Sequence, residues 1–214
     1  MFKNRKDAGL RLARLMFKFH KAKDTIVLAL PRGGVIIGAI LANEFSLPFD
    51  ILASGKIGAP GNKEFAIGAV SENGILLLDR QIINLYQISN DYLKYELEKT
   101  MKELKRRSLV YRSGRPAINI KNKTVILVDD GVATGLTMTA AIESVKSQGA
   151  IKVITAIPVG AEDALQRIKT KVDEIFCLSI PSYFGAVGSF YENFEQINDE
   201  EIVNIFSIQS YIKQ

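Results

Sequence analysis

Two apolar, β-branched runs, residues 25–30 and 125–128, each stop at a short loop bearing glycine and then pass into a helix-like segment. A strand that yields to a helix through a few small residues opens a β-α crossover. Repeated crossovers force strands to lie parallel with helices on both faces. The alternation continues downstream: a helix to about 148 ended by Gly149, a strand over 153–159, a helix from about 162 and a strand over 174–180. The expected fold class is therefore α/β, a doubly wound and mainly parallel sheet. Ligands of such sheets bind beyond the carboxyl ends of the strands, where both glycine loops fall.

The second loop carries the most chemistry. It reads Asp129-Asp130-Gly131-Val132-Ala133-Thr134-Gly135-Leu136-Thr137. A loop of small and hydroxyl residues entering a helix aims backbone N–H groups and the positive helix end at one place, which suits a phosphate. Two carboxylates repel a phosphate, so they are useful only if the ligand also brings hydroxyls or a divalent cation. A phosphorylated sugar meets both demands. Its ring hydroxyls would donate to Asp129 and Asp130, Mg²⁺ would be shared with them indirectly, and its phosphate would rest on the loop amides. Asp-Gly alone is also a common turn signal. The order strand, acids, glycine loop and helix goes beyond a turn.

Composition narrows the class. At 214 residues, 47% of them hydrophobic and 24% charged, the chain can bury a core without staples. Its one cysteine, Cys177, rules out a disulfide within the chain and lies in an apolar run, as a strand residue rather than a nucleophile. No apolar stretch approaches a membrane span, so a cytoplasmic protein with no membrane partner is expected. The net charge of +5 is concentrated early: Lys3, Arg5, Lys6, Arg11, Arg14, Lys18, Lys21 and Lys23 alternate with apolar residues from Leu10 to Phe19. The pattern is a basic amphipathic helix. A transit peptide, a membrane-surface helix and a nucleic-acid patch share that pattern, and a docking helix with a solvated basic face is the commoner case. His20 is read as a cation at the end of this helix.

Between the two glycine loops, residues 50–56 read as a strand ending in Lys56, 58–62 as a loop, and 65–71 with 74–78 as a hairpin. Residues 89–112 read as one long helix with Leu93, Leu97, Met101, Leu104 and Ser108 on one face, and with Glu98/Lys102 and Glu103/Arg107 as i,i+4 pairs. It is either packed along the domain or an arm for a dimer. Residues 181–194 are rich in glycine and aromatics, and 199–209 form a last helix.

The 125–137 string resembles the signature of type I phosphoribosyltransferases, which bind phosphoribosyl pyrophosphate (PRPP). Arg32-Gly33-Gly34 resembles that family's pyrophosphate loop. Further strings are similar to a bacterial and archaeal subgroup described as predicted phosphoribosyltransferases: Asp7-Ala-Gly-Leu-Arg-Leu-Ala, Leu28-Ala-Leu-Pro-Arg-Gly-Gly, Lys56-Ile-Gly-Ala-Pro-Gly, Ala66-Ile-Gly-Ala-Val, Tyr111-Arg-Ser-Gly-Arg-Pro and Phe184-Gly-Ala-Val-Gly. They run through nearly the whole chain. One domain over 1–214 is implied, with a hairpin and long-helix insertion at 57–120 and a hood or tail at 181–214, and the basic helix belongs to it.

By resemblance, Asp129 and Asp130 hold the ribose 2′- and 3′-hydroxyls, and Ala133, Thr134, Gly135, Leu136 and Thr137 wrap the 5′-phosphate. Arg32 grips pyrophosphate with the Gly33 and Gly34 amides, in a loop that in the family often holds a non-proline cis peptide, and Lys56 adds a cation there. Mg²⁺ is the implied cofactor. The partners are PRPP and a small nitrogenous acceptor, with no nucleic acid, and related transferases are often dimers. Phe184 and Tyr191, with Phe190, are the candidates to stack on a base, and Arg112 and Arg115 either close over PRPP or cap the long helix. Where 6-oxopurine enzymes of this class carry an aspartate two residues before the loop glycine, this chain has Ala133, which disfavours hypoxanthine and guanine. Glu64 is a candidate replacement acid or base. Rival readings are a PRPP-binding regulator without turnover and a receiver-like signalling domain. In a receiver the acidic strand comes first in the domain, whereas here it lies past the midpoint. A dehydrogenase is poorer, because a Gly-x-Gly-x-x-Gly string after a strand is absent.

Overall fold

A computed structural model describes the backbone of residues 1–211, and the side chains of that span other than those of Glu64, Gln209, Ser210 and Tyr211. The elements in chain order are α1 (Arg5–Leu15), β1 (Thr25–Ala29), α2 (Gly34–Phe45), β2 (Phe49–Ile51), β3 (Ser54–Ala59), β4 (Asn62–Ser71), β5 (Leu76–Leu78), α3 (Arg80–Leu85), α4 (Asn90–Tyr111), β6 (Thr124–Val128), α5 (Leu136–Ser147), β7 (Lys152–Val159), α6 (Glu162–Lys169), β8 (Glu174–Ser179) and α7 (Asp199–Tyr211). Five strands form the expected parallel sheet in the order β2-β1-β6-β7-β8. β1 is buried along its whole length, as a strand covered on both faces must be.

The two faces carry separate cores. Val27, Ala29, Ile126, Val128, Ile154 and Ala156 point to the side covered by α1, α2 and α7. Ile26, Leu28, Val125, Leu127, Val153 and Ile157 point to the side covered by α5 and α6. This is the period-two alternation of strands, with both phases apolar. α1 docks on α2 through Ala8, Gly9 and Leu12, and Gly9 lies so close to Ile40 that an added Cβ would fall 2.9 Å from its Cδ1. The expected docking helix is therefore present. His20 is not its C-terminal cation: the helix stops at Leu15, a 3₁₀ turn over Phe17–Phe19 follows, and the His20 Nδ1 sits 2.9 Å from the Glu44 carbonyl oxygen. Cys177 lies in β8, as expected, with its thiol pushed up by burial.

The stretch 50–56 is not one strand. The parallel ladder ends when the Leu52 amide donates to Ala29, and Ala53 then accepts from Glu72 in a second sheet. β2 thus closes the main sheet, while β3 opens an antiparallel sheet, β3-β4-β5, which includes the expected hairpin. The insertion accordingly begins at Ser54. Its own core holds Ile57, Ile67, Val70, Leu93 and Leu104, with Leu97 and Met101 packed against it, so α4 lies along this sheet on the predicted face. Ser89 caps α4 by accepting from the Tyr92 amide.

Arg112, at the α4 C-terminus, fastens the insertion to the main sheet. Its Nε donates to Asp50 at 2.9 Å, its Nη2 to Glu72 at 3.0 Å and to the Ile51 carbonyl at 2.7 Å, and its side chain is 7% exposed. Asp50 also accepts the Ile118 amide, on the chain returning to β6. Arg112 is therefore a buried tie and not a mobile arm. Arg115 stacks its guanidinium over Phe206 of α7.

Candidate active site

Strand order reverses between β1 and β6, so the loops leaving their carboxyl ends diverge and open a crevice. Ala29 is in register with Val128, and the Leu30 amide donates to the Val128 carbonyl at 2.8 Å. The 31–34 loop is thereby pressed against Asp129 and Asp130. The Pro31–Arg32 peptide is cis, as the resemblance led one to expect. A Cβ on Gly33 would fall 1.7 Å from Asp130 Oδ2, and one on Gly34 2.5 Å from the Val128 carbonyl oxygen. Only glycine fits at this approach.

The two acids are held differently. Asp129 Oδ1 accepts the Asp130 amide at 2.8 Å. Burial pushes the Asp129 carboxyl well above the usual carboxylate range, and the Asp130 charge adds to the rise. Asp130 is also pushed up by burial, but Arg5 opposes this: its Nε donates to Asp130 Oδ2 at 2.7 Å, with the two side chains 10% and 13% exposed. Arg5 Nη1 donates to the Glu195 carbonyl, and the guanidinium lies 3.8 Å over the Phe194 ring. Ordering such a side chain costs about 2 kcal/mol of rotamer freedom, which these three contacts offset.

The phosphate-type loop follows at once. Val132 donates to Val159 and accepts from Ala161, which pins the loop to the β7 side. Gly135 turns the chain at φ 78°, a left-handed conformation open to glycine, and α5 begins at the next residue. The first-turn amides of a helix have no partner within it and so face outward for a ligand. Arg167 of α6 donates to the Thr134 carbonyl at 2.9 Å and steadies the turn. A cavity of about 430 Å³ lies against residues 131–137, bordered by Lys56, Ala66 and residues 185–187.

The structure therefore presses Gly33 and Gly34 against Asp129 and Asp130 where the strand order reverses, and the cavity that begins at the next residue, Gly131, is lined by the loop from Ala133 to Thr137. Lys56 borders the cavity of the 133–137 loop. Arg32 is turned instead to the C-terminal segment, where its Nη1 donates to the Ile197 carbonyl at 3.2 Å and its charge acts on Asp199 and Tyr111. The expected joint grip of Arg32 and Lys56 is thus not assembled by these side chains, because a carbonyl and a carboxylate attract Arg32 elsewhere.

Tyr191 corrects the expectation for the hood. It is 5% exposed, in contact with Phe2 and Phe194, and its hydroxyl donates to the Asp130 carbonyl at 2.6 Å. Burial, and then the Asp130 charge, push its phenol up. Tyr191 supports the acid pair from below and offers no open face to a base. Phe184 is half-buried, 5.1 Å from Phe190, and both pack on the main core. The Glu64 side chain lies outside the described residues. Arg5 is the site residue that the sequence reading left among the solvated basic charges.

Among the described residues no group of three or more His, Cys, Asp or Glu is placed to hold a metal ion. An acid pair with one oxygen committed to Arg5 is a poor cage by itself. It fits a Mg²⁺ that arrives with phosphate oxygens and keeps several waters. No helix among the described residues is long and apolar enough to cross a membrane.

An acid pair followed by a glycine loop, at the switch point of a parallel sheet, defines the candidate site of this α/β domain. The chain belongs to the phosphoribosyl transferase family, whose domain model matches residues 2–195. It is 36% identical over 203 residues to a Mycobacterium tuberculosis protein named "Putative phosphoribosyl transferase", covering 95% of this chain and 46% of that one. The chain thus spans about half the length of that curated relative. The crystal structure of TT1426 from Thermus thermophilus superposes with a TM-score of 0.78 at 38% identity, over 96% of this chain and 97% of that one. A segment of 60 residues, 27% of this chain and 22% of the matched protein, is 43% identical to the ribose-phosphate pyrophosphokinase of Pyrococcus furiosus.

Proposed function

We propose that this protein binds PRPP and transfers its 5-phosphoribosyl group to a nitrogenous acceptor with release of pyrophosphate. The carrying observation is the close approach of the Gly33–Gly34 loop to Asp129 and Asp130 where the strand order reverses, with the cavity of the 133–137 loop beginning at the next residue, Gly131. A ligand laid across that point meets carboxylates in the middle and amide-lined loops on either side. PRPP matches this order, with ribose hydroxyls between a 5′-phosphate and a diphosphate. Family membership and the local likeness to a ribose-phosphate pyrophosphokinase support the same ligand.

In this reading Asp129 and Asp130 accept the 2′- and 3′-hydroxyls and fix the ribose ring. The amides of residues 133–137 hold the 5′-phosphate, with Thr134 and Thr137 as hydroxyl donors. The Gly33 and Gly34 loop receives the diphosphate, and Arg32 swings from the Ile197 carbonyl to meet it. Lys56 adds positive charge from the cavity rim. Cleavage at ribose C1 builds positive charge on the sugar and negative charge on the departing diphosphate, so the acids and the cations stabilise opposite ends of one transition state. Mg²⁺, when bound with PRPP, neutralises the diphosphate oxygens.

Ala133 is exposed and offers no proton acceptor at the position that serves 6-oxopurine enzymes, which disfavours hypoxanthine and guanine as acceptors. The test is incubation with PRPP, Mg²⁺ and single nucleobases, measuring pyrophosphate and nucleotide. Nucleotide from at least one base other than hypoxanthine or guanine is expected. PRPP binding with no pyrophosphate from any base would make the protein a PRPP-responsive regulator instead.

A further inference from the structure

We propose that Arg5 is a positioning residue for the acid pair, and that through it the N-terminal helix and the C-terminal tail form part of the PRPP site. The inference rests on the reading of Asp129 and Asp130 as ribose-hydroxyl acceptors. Arg5 is the first residue of α1 and lies 125 positions from Asp130 in the sequence. It falls on the buried stripe of the helix with Ala8, Gly9 and Leu12, where a cation is out of place unless it has a task.

Three separate segments converge on Asp130. Arg5 takes its Oδ2 from the N-terminal side. Tyr191, in the tail, holds its main-chain carbonyl at 2.6 Å. Gly33 leaves room for Oδ2 that any side chain would fill. The guanidinium is itself fixed from two directions, stacked 3.8 Å above Phe194 and donating to the Glu195 carbonyl at 2.8 Å. Phe194 leans on Tyr191 at 5.0 Å, so the two supports of Asp130 brace each other.

Such a cluster is a poor device for stability. A buried ion pair often contributes no more than apolar residues of the same volume would. It is a good device for direction. A carboxylate that accepts a sugar hydroxyl must present its oxygen at one angle, and Arg5 removes its freedom to rotate before the ligand arrives. Committing Oδ2 to Arg5 reserves the rest of the carboxylate for the ligand. It also makes the acids unequal, since Asp129 holds only a neighbouring amide.

The test is calorimetric titration of the Arg5→Met variant with PRPP and, separately, with pyrophosphate, both with Mg²⁺. PRPP affinity should fall about tenfold or more, with pyrophosphate affinity unchanged within about twofold, since the loss is confined to the ribose acids. In an Asp130→Asn background, Arg5→Met should weaken PRPP by less than about twofold, because the residue it serves is already altered. An unchanged PRPP affinity, or an equal fall for both ligands, overturns the inference. Should Arg5→Met fail to fold, Arg5→Lys keeps the charge but loses the carbonyl contact and the stack. A PRPP affinity equal to the parent's would then overturn it. Failure of the unaltered protein to bind PRPP would instead overturn the ribose-site reading, and this inference with it.

Discussion

Gly33 faces Asp130 so closely that a single added carbon would sit 1.7 Å from the carboxylate oxygen that Arg5 holds. Asp130 cannot yield without breaking its ion pair. Gly33→Ala should therefore cost about 1–3 kcal/mol of stability, as overpacking does. PRPP affinity should fall in parallel. Urea unfolding and calorimetry check the pair of effects, and a variant that unfolds and binds like the parent would show that the loop has slack.

The acids should respond unequally to amidation. Asp129 has its folded-state pKa raised, by burial first and by Asp130 second. A carboxylate raised in this way costs stability once the pH exceeds its ordinary value, so Asp129→Asn should raise the thermal midpoint at neutral pH. Asp130 is raised too, but less, because Arg5 opposes burial, and Asp130→Asn strips the buried Arg5 guanidinium of its counter-charge, so its midpoint should fall below that of Asp129→Asn. Differential scanning calorimetry of the two variants reads the contrast directly. Equal shifts of one sign would mean that Arg5 does not distinguish the acids.

Arg112 joins β2, through Asp50, to the insertion, through Glu72, with almost no exposure to water. Arg112→Ala would strand two buried carboxylates and should lower stability by about 3–5 kcal/mol. Arg112→Lys should recover little, because one ammonium cannot reproduce the forked contacts to Asp50, Glu72 and the Ile51 carbonyl. Chemical denaturation of both variants tests this, and full recovery by lysine would show that charge alone matters.

α4 and α7 are tied by a more exposed network with a pH signature. Arg106 and Arg107 hold Glu103 down at about 2, the Arg106 hydrogen bond having the larger effect. Arg106 also reaches Asp199, which Tyr111 and Arg106 hold below its usual range. Both acids are depressed, so their stabilisation is complete above the ordinary carboxylate value and disappears as the pH falls toward 2. With Glu103 40% exposed, the effect is modest. The thermal midpoint should drop on acidification below about pH 4.5, and the drop should be shallower in Glu103→Gln, where that titration is absent. An identical acid limb in both proteins would remove Glu103 from the explanation.

The parallel sheet and the acid-loop string were legible because local pattern and tertiary role agree there: β-branched runs, then glycine, then a helix. The 50–56 run misled because both halves suit a strand, and the change of sheet between Leu52 and Ala53 is decided by partners at Ala29 and Glu72. Arg112 could not be read, since Asp50 and Glu72 lie 62 and 40 residues away. Tyr191 resembled an open aromatic of a glycine-rich tail, and only its packing against Phe2 and Phe194 shows otherwise. Arg5 did leave a trace. Residues 5, 8, 9 and 12 follow the helical period, so a cation stood on an otherwise apolar stripe.

If Asp129 and its neighbour form the ribose site of a PRPP-binding protein, Asp129→Asn is the cleanest probe of it, because that change leaves the Arg5–Asp130 pair intact. Calorimetric titration with PRPP and Mg²⁺ should show saturable binding by the unaltered protein and a loss of at least about tenfold in affinity in the variant, with the thermal midpoint held or raised. Equal PRPP affinity in the two proteins would contradict it.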